Sequence, residues 1–345
     1  MPEQPLRRPP PRLLRLAAWL VAIGAAGGVL FAWGLPDLGD TRGVGGALTW
    51  LAFAGRTFAF HAGLALLPLI VLMVLRRVWT PAIVASLAAA WCLAPALWSY
   101  RPRAEPPALS DDALTIFSVN AQVGRVDPER LRHEIERVDA DVVCIIEHHP
   151  RLAPTIAALR ERYPHVAESI RDDAFGMAML SKSPLAEPPR HYPDLGIPLR
   201  EPQIRCVVDV GGRAVVVQGV HTLPPVSIDS LREQRALLRA LAAWARAEPR
   251  PVVLCGDLNC TPESQGFAWL RDAGLIDAWG ARGVGRGATW PVGKGLFSHA
   301  GVRIDHILVG GGLVPASAVL GADVGSDHRG VVARVGFPAP GPDGR

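Results

Sequence analysis

Residues 252–264 read VVLCGDLNCTPES, an apolar strand pattern that runs straight into Gly256, Asp257 and Asn259. Val252, Val253 and Leu254 are β-branched or aliphatic and suit a buried strand. Side chains two apart on an extended segment share a face, so Asp257 and Asn259 are expected to project into one space. A simple turn would also use Gly, Asp and Asn. What stands at the other strand ends decides between the two readings.

The chain has 345 residues, of which 49% are hydrophobic. Its mean hydropathy of +0.21 is high for a soluble protein and directs attention to membrane segments. Three apolar stretches lie at the front, at about 16–35, 57–75 and 78–100. Each is about 20 residues long, enough to cross the hydrocarbon core as a helix. Arg15 and Asp37 bound the first, Arg56 and Arg76 the second, Arg77 and Arg101 the third. Trp79 and Trp98 stand near the two ends of the third, where interfacial aromatics belong. A cleaved signal peptide is the rival for the first stretch, but two more spans follow it and no small-residue cleavage site leads into soluble sequence. Residues 1–101 are therefore expected to form a membrane anchor of three transmembrane helices.

Loop charges set the expected orientation. Arg7, Arg8, Arg12 and Arg15 precede the first span, and Arg76 with Arg77 separate the second from the third. A cytoplasmic N-terminus places both clusters inside, as positive charge prefers. The first loop sets Arg42 and Arg56 against Asp37 and Asp40. Three crossings then leave everything after Tyr100 extracytoplasmic, although Arg101 and Arg103 pull the other way.

The formal net charge of +4 divides unevenly. Residues 1–101 hold 9 Arg and 3 acids, a net +6, which leaves 27 basic and 29 acidic residues, a net −2, for the rest. The basic character belongs to the anchor. The remainder lacks the overall positive charge that nucleic-acid binding usually needs. Cys144, Cys206 and Cys255 lie in strand-like apolar runs and suit buried free thiols. No CxxC or Cys/His spacing for zinc occurs.

The stretch RPRAEPPALSDD, 101–112, reads as a proline-rich linker, with 102–113 as its extent and a new domain over 114–336. Strands are expected near 114–119, 142–146, 177–180, 207–210, 214–220, 252–254, 304–309 and 331–335. Gly211-Gly212 marks a hairpin. Asp127-Pro128-Glu129 opens a helix, and Leu231, Leu238, Leu241 and Trp244 give 227–247 a helical stripe. The mixture implies one α/β sandwich domain. The tail 337–345, with its prolines and glycines, is expected to be disordered.

Polar groups recur at strand ends: Asn120, Glu147, His221, Asp305 within VRIDHILV, and the Asp327-His328 pair. Each alone has a plain reading as a turn former, a cap or an edge residue. Asp305 resists it, because an acid between Ile304 and Ile307 is costly to bury unpaired. With Asp257 and Asn259 these make six places at one kind of position, which favours a shared pocket.

The ordered series Asn120, Glu147, GMAMLSKSPL, His221, GDLN, TWP, RIDHIL and SDH resembles the endonuclease/exonuclease/phosphatase superfamily, the group that includes DNase I. The likeness runs over roughly 114–335. It implies a four-layer αββα sandwich with the site at one end of two central sheets. It also implies a divalent-metal-dependent phosphoesterase using Mg²⁺, with Mn²⁺ as a substitute. In this resemblance Glu147 is the leading metal ligand, with Asn120 beside it and Asp327 as a further contact. Asp257 would orient or deprotonate the attacking water, and Asn259 would hold a phosphate oxygen. His328 would polarise the phosphate or move a proton, oriented by Asp305, and His221 would be a proton donor. Arg205 is a candidate phosphate contact, weighed against a solvated strand-edge arginine. His148 and His149 are expected at the rim, Thr289-Trp290 as support, and His306 on the opposite side of its strand.

The expected function is hydrolysis of a phosphate ester or pyrophosphate outside the cytoplasm, with a lipid-linked phosphate or pyrophosphate at the membrane surface as the favoured substrate. An extracytoplasmic DNA or RNA nuclease is the enzymatic alternative. A non-catalytic membrane adaptor is the second, and it predicts losses among the site residues that the sequence does not show.

Overall fold

The computed structural model describes residues 11–39, 41–292 and 300–339. Arg7, Arg8 and Asp40 of the topology argument, and the tail beyond 339, lie outside the described residues. The chain divides into two compact units between Trp98 and Ser99.

The first unit holds α1 (Arg12–Gly34), α2 (Gly43–Thr57), α3 (Ala59–Leu75) and α4 (Trp79–Trp98). Two of them, α1 and α4, are long and apolar enough to cross a membrane, and there are up to three such spans if α2 and α3, bent by 68° at their junction, count as one. The expectation of three helices missed α2. Its Gly43, Gly45, Gly46 and Gly55 lower helix propensity and made the segment read as a loop. Small residues carry the packing: Ala18 and Ala22 of α1 share a buried cluster with Ala82 and Ala85 of α4.

The second unit runs β1 (Leu114–Asn120), α5 (Pro128–Val138), β2 (Val142–Ile146), α6 (Ala153–Leu159), β3 (His165–Ser169), β4 (Met177–Ser181), β5 (Arg205–Val210) and β6 (Arg213–His221). It continues with α7 (Ile228–Ala247), β7 (Val252–Asp257), α8 (Gln265–Asp272), β8 (Ile276–Asp277), α9 (Ala278–Arg282), β9 (Asp305–Gly310), β10 (Val314–Leu320) and β11 (Val331–Gly336). The strands make a six-stranded sheet, β10-β11-β1-β2-β4-β3, and a five-stranded sheet, β5-β6-β7-β9-β8.

Alternation along each strand builds the layers. Ile116, Val142, Cys144 and Ile146 of the first sheet meet Cys206, Val217, Val253 and Ile307 of the second in one buried core. The opposite faces of β1 and β2, through Phe117, Val119, Val143 and Ile145, pack on Leu131 and Ile135 of α5 and Ile156 and Leu159 of α6. On the second sheet's outer side the Arg205 guanidinium stacks 4.1 Å from the Trp244 ring of α7, and Phe267 of α8 lies 4.7 Å from the His306 ring. The result is the four-layer αββα sandwich.

Two parallel pairings and one antiparallel pairing decide where polar groups gather. Asn120 ends β1 beside Ile146 of β2, so Glu147 emerges next to it. His221 pairs with Asp257, and Asp257 in turn pairs with Asp305, which sets three ionisable groups side by side across β6, β7 and β9. Gly256 makes this possible: its φ is 141°, and an added Cβ would sit 1.9 Å from the Val220 carbonyl oxygen.

The segment expected to be a free linker is fastened to the second unit. Gly285 N donates to the Ser99 carbonyl at 3.0 Å, and the Arg103 guanidinium reaches the Gly283 carbonyl at 3.0 and 2.8 Å. Arg282 returns the contact to the carbonyls of Ala104 and Glu105 at 3.1 and 3.3 Å. Residues 337–339, expected to be disordered, pair with 108–110: Leu109 bridges Pro338, and Ser110 N donates to the Phe337 carbonyl at 2.9 Å. A proline-rich composition hid both attachments. All five cysteines are free and buried.

Candidate active site

Asn120 is fully buried at the end of β1 and joins the two sheets. Its side-chain amide donates to the Glu147 carboxylate at 3.0 Å and to Asp257 Oδ2 at 3.1 Å. Its Oδ1 accepts from the Gln122 backbone N–H at 2.9 Å, which fixes the amide's orientation. Glu147 has φ of +60°, an uncommon conformation for a non-glycine residue and one that collects at functional sites. Burial pushes its carboxyl up, only partly offset by the Asn120 amide and the charge of His328.

Asp257 is 2% exposed. Burial pushes its carboxyl up, and the nearby Asp305 carboxylate adds to the rise. Asp257 Oδ1 accepts from the Asn259 backbone N–H at 2.8 Å, an Asx turn, and Asn259 is left-handed at φ +48°. This corrects the expectation that extended alternation aligns the two side chains: the strand stops at Asp257, and the turn carries Asn259 onward. Turn and site are one structure here. The Asn259 amide donates to the Thr222 carbonyl at 2.9 Å and keeps a second N–H for another acceptor.

His328 and Asp305 form a buried pair, with Nδ1 2.9 Å from Asp305 Oδ2. Burial alone would lower the imidazole, but the Asp305 carboxylate and its hydrogen bond, with Asp257 and Asp327 nearby, raise it to about 10. Its Nε2 lies 3.9 Å from Asp257 Oδ2. Thr289 Oγ1 accepts from the backbone N–H groups of Ile304 and Asp305 at 3.0 and 3.2 Å and so seats the carboxylate. His221 Nε2 lies 3.9 Å from Glu147 and 3.8 Å from Asp257. Burial, together with the charge of His328, lowers it to about 4 and keeps it neutral.

Asp327 completes the group. Its Oδ2 accepts from the Trp290 indole N–H at 3.1 Å, while Oδ1 is buried and has no hydrogen-bond partner among the described residues. Oxygen donors on Glu147, Asn120 and Asp327, one of them unpartnered, match the preference of a hard divalent cation. The ligand atoms of Asp257, Asp305 and His328 also lie within 4.8 Å of one another, close enough to hold an ion.

Arg205 is not brought to the site. It sits opposite Gln218, on the face of its sheet that meets α7, while His221 faces the other sheet. Its Nε donates to Gln218 Oε1 at 2.8 Å and its guanidinium lies over Trp244. One step of strand alternation separates the two outcomes. His148, expected at the rim, is fully buried, with Nε2 3.2 Å from Glu168. His306 faces away from Asp305, 2.9 Å from the Cys260 carbonyl.

Three residues, Gln122, Ser326 and Gln203, carry roles that the sequence analysis does not assign. Gln122 Oε1 accepts from the Asp327 backbone N–H at 3.1 Å. Ser326 donates to the Asn120 carbonyl at 2.7 Å and accepts from His328 N at 3.0 Å. Gln203 grips the His221 backbone on both sides, at 2.9 and 3.0 Å. Trp290 was read as support without a partner. Only the proximity of Ser326 to His328 was visible in the chain.

No curated protein matches the sequence. Among solved structures, an endonuclease/exonuclease/phosphatase from Beutenbergia cavernae is 22% identical, with a TM-score of 0.51 over 66% of this chain and 72% of that one. The 3'-5' exonuclease NExo from Neisseria meningitidis is 22% identical, with a TM-score of 0.53 over 65% of this chain and all of that one. Humanized D. rerio TDP2 is 18% identical, with a TM-score of 0.52 over 66% and 100%. At these identities the likeness establishes the fold. Residues 117–328, more than half of the chain, match the Endonuclease/Exonuclease/phosphatase family. The chain therefore belongs to that family of divalent-metal-dependent phosphoester hydrolases.

Proposed function

We propose that the protein is a membrane-anchored phosphoesterase whose site residues act on a phosphate ester or pyrophosphate outside the cytoplasm, at the membrane surface, lipid-linked substrates being favoured. The observation that carries the hydrolase reading is the Asn120 amide bridging Glu147 and Asp257, which sets a ligand and a base on two sides of one small space.

Glu147, Asn120 and Asp327 would hold Mg²⁺ or Mn²⁺, which when bound neutralises phosphate oxygens. This assignment is preferred to Asp257, Asp305 and His328 because a hard cation favours an all-oxygen set and His328 Nδ1 is already committed to Asp305. Asp257, with its raised proton affinity, takes the proton of the attacking water. The free N–H of Asn259 holds a phosphate oxygen. His328, kept charged by Asp305, stabilises the negative charge that develops on the phosphate. Neutral His221 borders the same space and is placed to pass a proton.

Support for a substrate at the membrane comes from the apolar helices that precede the domain and from the net −2 charge of residues 102–345. Positive-inside loops favour a cytoplasmic N-terminus. The test is an assay of full-length protein in proteoliposomes with Mg²⁺ or Mn²⁺. Lipid pyrophosphates, phospholipids, DNA and a generic phosphodiester are offered side by side, with Glu147→Ala and His328→Ala as controls. Identical behaviour of wild type and both variants on every substrate would end the enzyme reading; preference for DNA would favour a nuclease. A reporter that is active only when exported, fused after Arg345, checks the orientation.

A further inference from the structure

We propose that Trp290 is the positioning residue that selects which oxygen of Asp327 faces the metal. This rests on the assignment of Asp327 as a ligand. A carboxylate on a rotatable stem presents two equivalent oxygens, and a precise site must break that equivalence. The indole ring has a single donor, and here it points at Asp327 Oδ2 from 3.1 Å. The backbone on both sides is held: Trp290 exchanges two hydrogen bonds with Val302, and Gln122 Oε1 takes the Asp327 N–H. Val292 N donates to the Asp327 carbonyl at 2.8 Å, so the two segments are also joined through main chain. Oδ1 alone is left, buried and unpartnered among the described residues. An acceptor withdrawn from water without a donor is unfavourable unless something else meets it. A cation does so, in the way that outer hydrogen bonds orient ligands at other metal centres. The ring also lies 6.3 Å from the His328 imidazole, a contact that phenylalanine would keep, so the N–H is what distinguishes tryptophan here.

The experiment measures Mn²⁺ affinity of the full-length protein by calorimetry, and its melting temperature in chelator, for four forms. These are wild type, Trp290→Phe, Asp327→Ala and the double variant. Trp290→Phe keeps a large ring and deletes the donor, so Mn²⁺ binding should weaken about 10- to 100-fold. The melting temperature in chelator should stay within about a degree of wild type, and the double variant should bind no more weakly than Asp327→Ala. Wild-type affinity in Trp290→Phe, or a full additional loss on top of Asp327→Ala, overturns the proposal. If Trp290→Phe also melts early in chelator, the double variant decides: affinity equal to that of Asp327→Ala supports the proposal and a full additional loss rejects it. Unchanged affinity in Asp327→Ala removes the ligand assignment itself, a result separate from a loss confined to the tryptophan.

Discussion

The Nδ1 atom of His328 lies 2.9 Å from the Asp305 carboxylate, and both side chains are all but closed to solvent. The pair charges the imidazole and fixes its tilt toward Asp257. Asp305→Asn keeps the volume and removes the charge, so kcat should fall by roughly 10²- to 10⁴-fold, the usual worth of a positioned acid or base. Mn²⁺ affinity should hardly move. Calorimetry checks this: a large loss of binding would place the ion on the Asp257, Asp305 and His328 side instead.

Asn120 keeps two carboxylates of like charge in register. Asn120→Ala leaves Glu147 and Asp257 facing each other with no donor between them. Metal affinity should drop about 10- to 100-fold, and raising Mn²⁺ should restore part of the activity. Titrating activity against Mn²⁺ concentration reads both effects.

Gly256→Ala should damage the fold and not the chemistry alone. The backbone at φ 141° is one that side chains rarely adopt, and the new methyl would meet the Val220 carbonyl. Strain of this kind costs about 1–3 kcal/mol before any clash is added. A melting temperature lowered by at least about 3 °C is expected, since about 1 kcal/mol moves a domain of this size by about 2–4 °C.

Acid should weaken the domain through Asp277. Burial alone would push its carboxyl up, but the Arg303 guanidinium, 2.9 and 2.7 Å from its two oxygens, outweighs that and holds it below the ordinary range. A depressed folded-state value means stability that is fully present above the unfolded value of about 3.9 and lost as pH falls through the folded one. Melting curves of wild type should therefore fall off at acid pH. Asp277→Asn should be less stable at neutral pH, by about 3–5 kcal/mol as for one broken buried pair, and flatter in acid.

Much of this was legible in the chain. Asn120, Glu147, His221, Asp257 and Asp305 stand at strand ends, and His328 just ahead of β11, because a strand of apolar residues must stop where polar chemistry begins, and that boundary is local. Arg205 was not legible, because facing one sheet or the other depends on a single step of alternation near an irregular strand start. Residues 43–57 hid α2 behind glycines, and β3 and β10 carry too many polar or small residues to show a strand period. Gln122 and Gln203 bond to partners far along the sequence, and distance in sequence leaves no local trace.

The clasp between 99–105 and 282–285 bears on where the protein can be cut. A recombinant fragment begun at Leu114, where the first strand starts, would strip Gly283 of its donor, Arg103, and Gly285 of its acceptor, Ser99. It would also leave Pro338 without Leu109. Loosened ends five residues ahead of Trp290 invite proteolysis and poor yield. A fragment begun at Ser99 keeps every one of those bonds and omits all four helices.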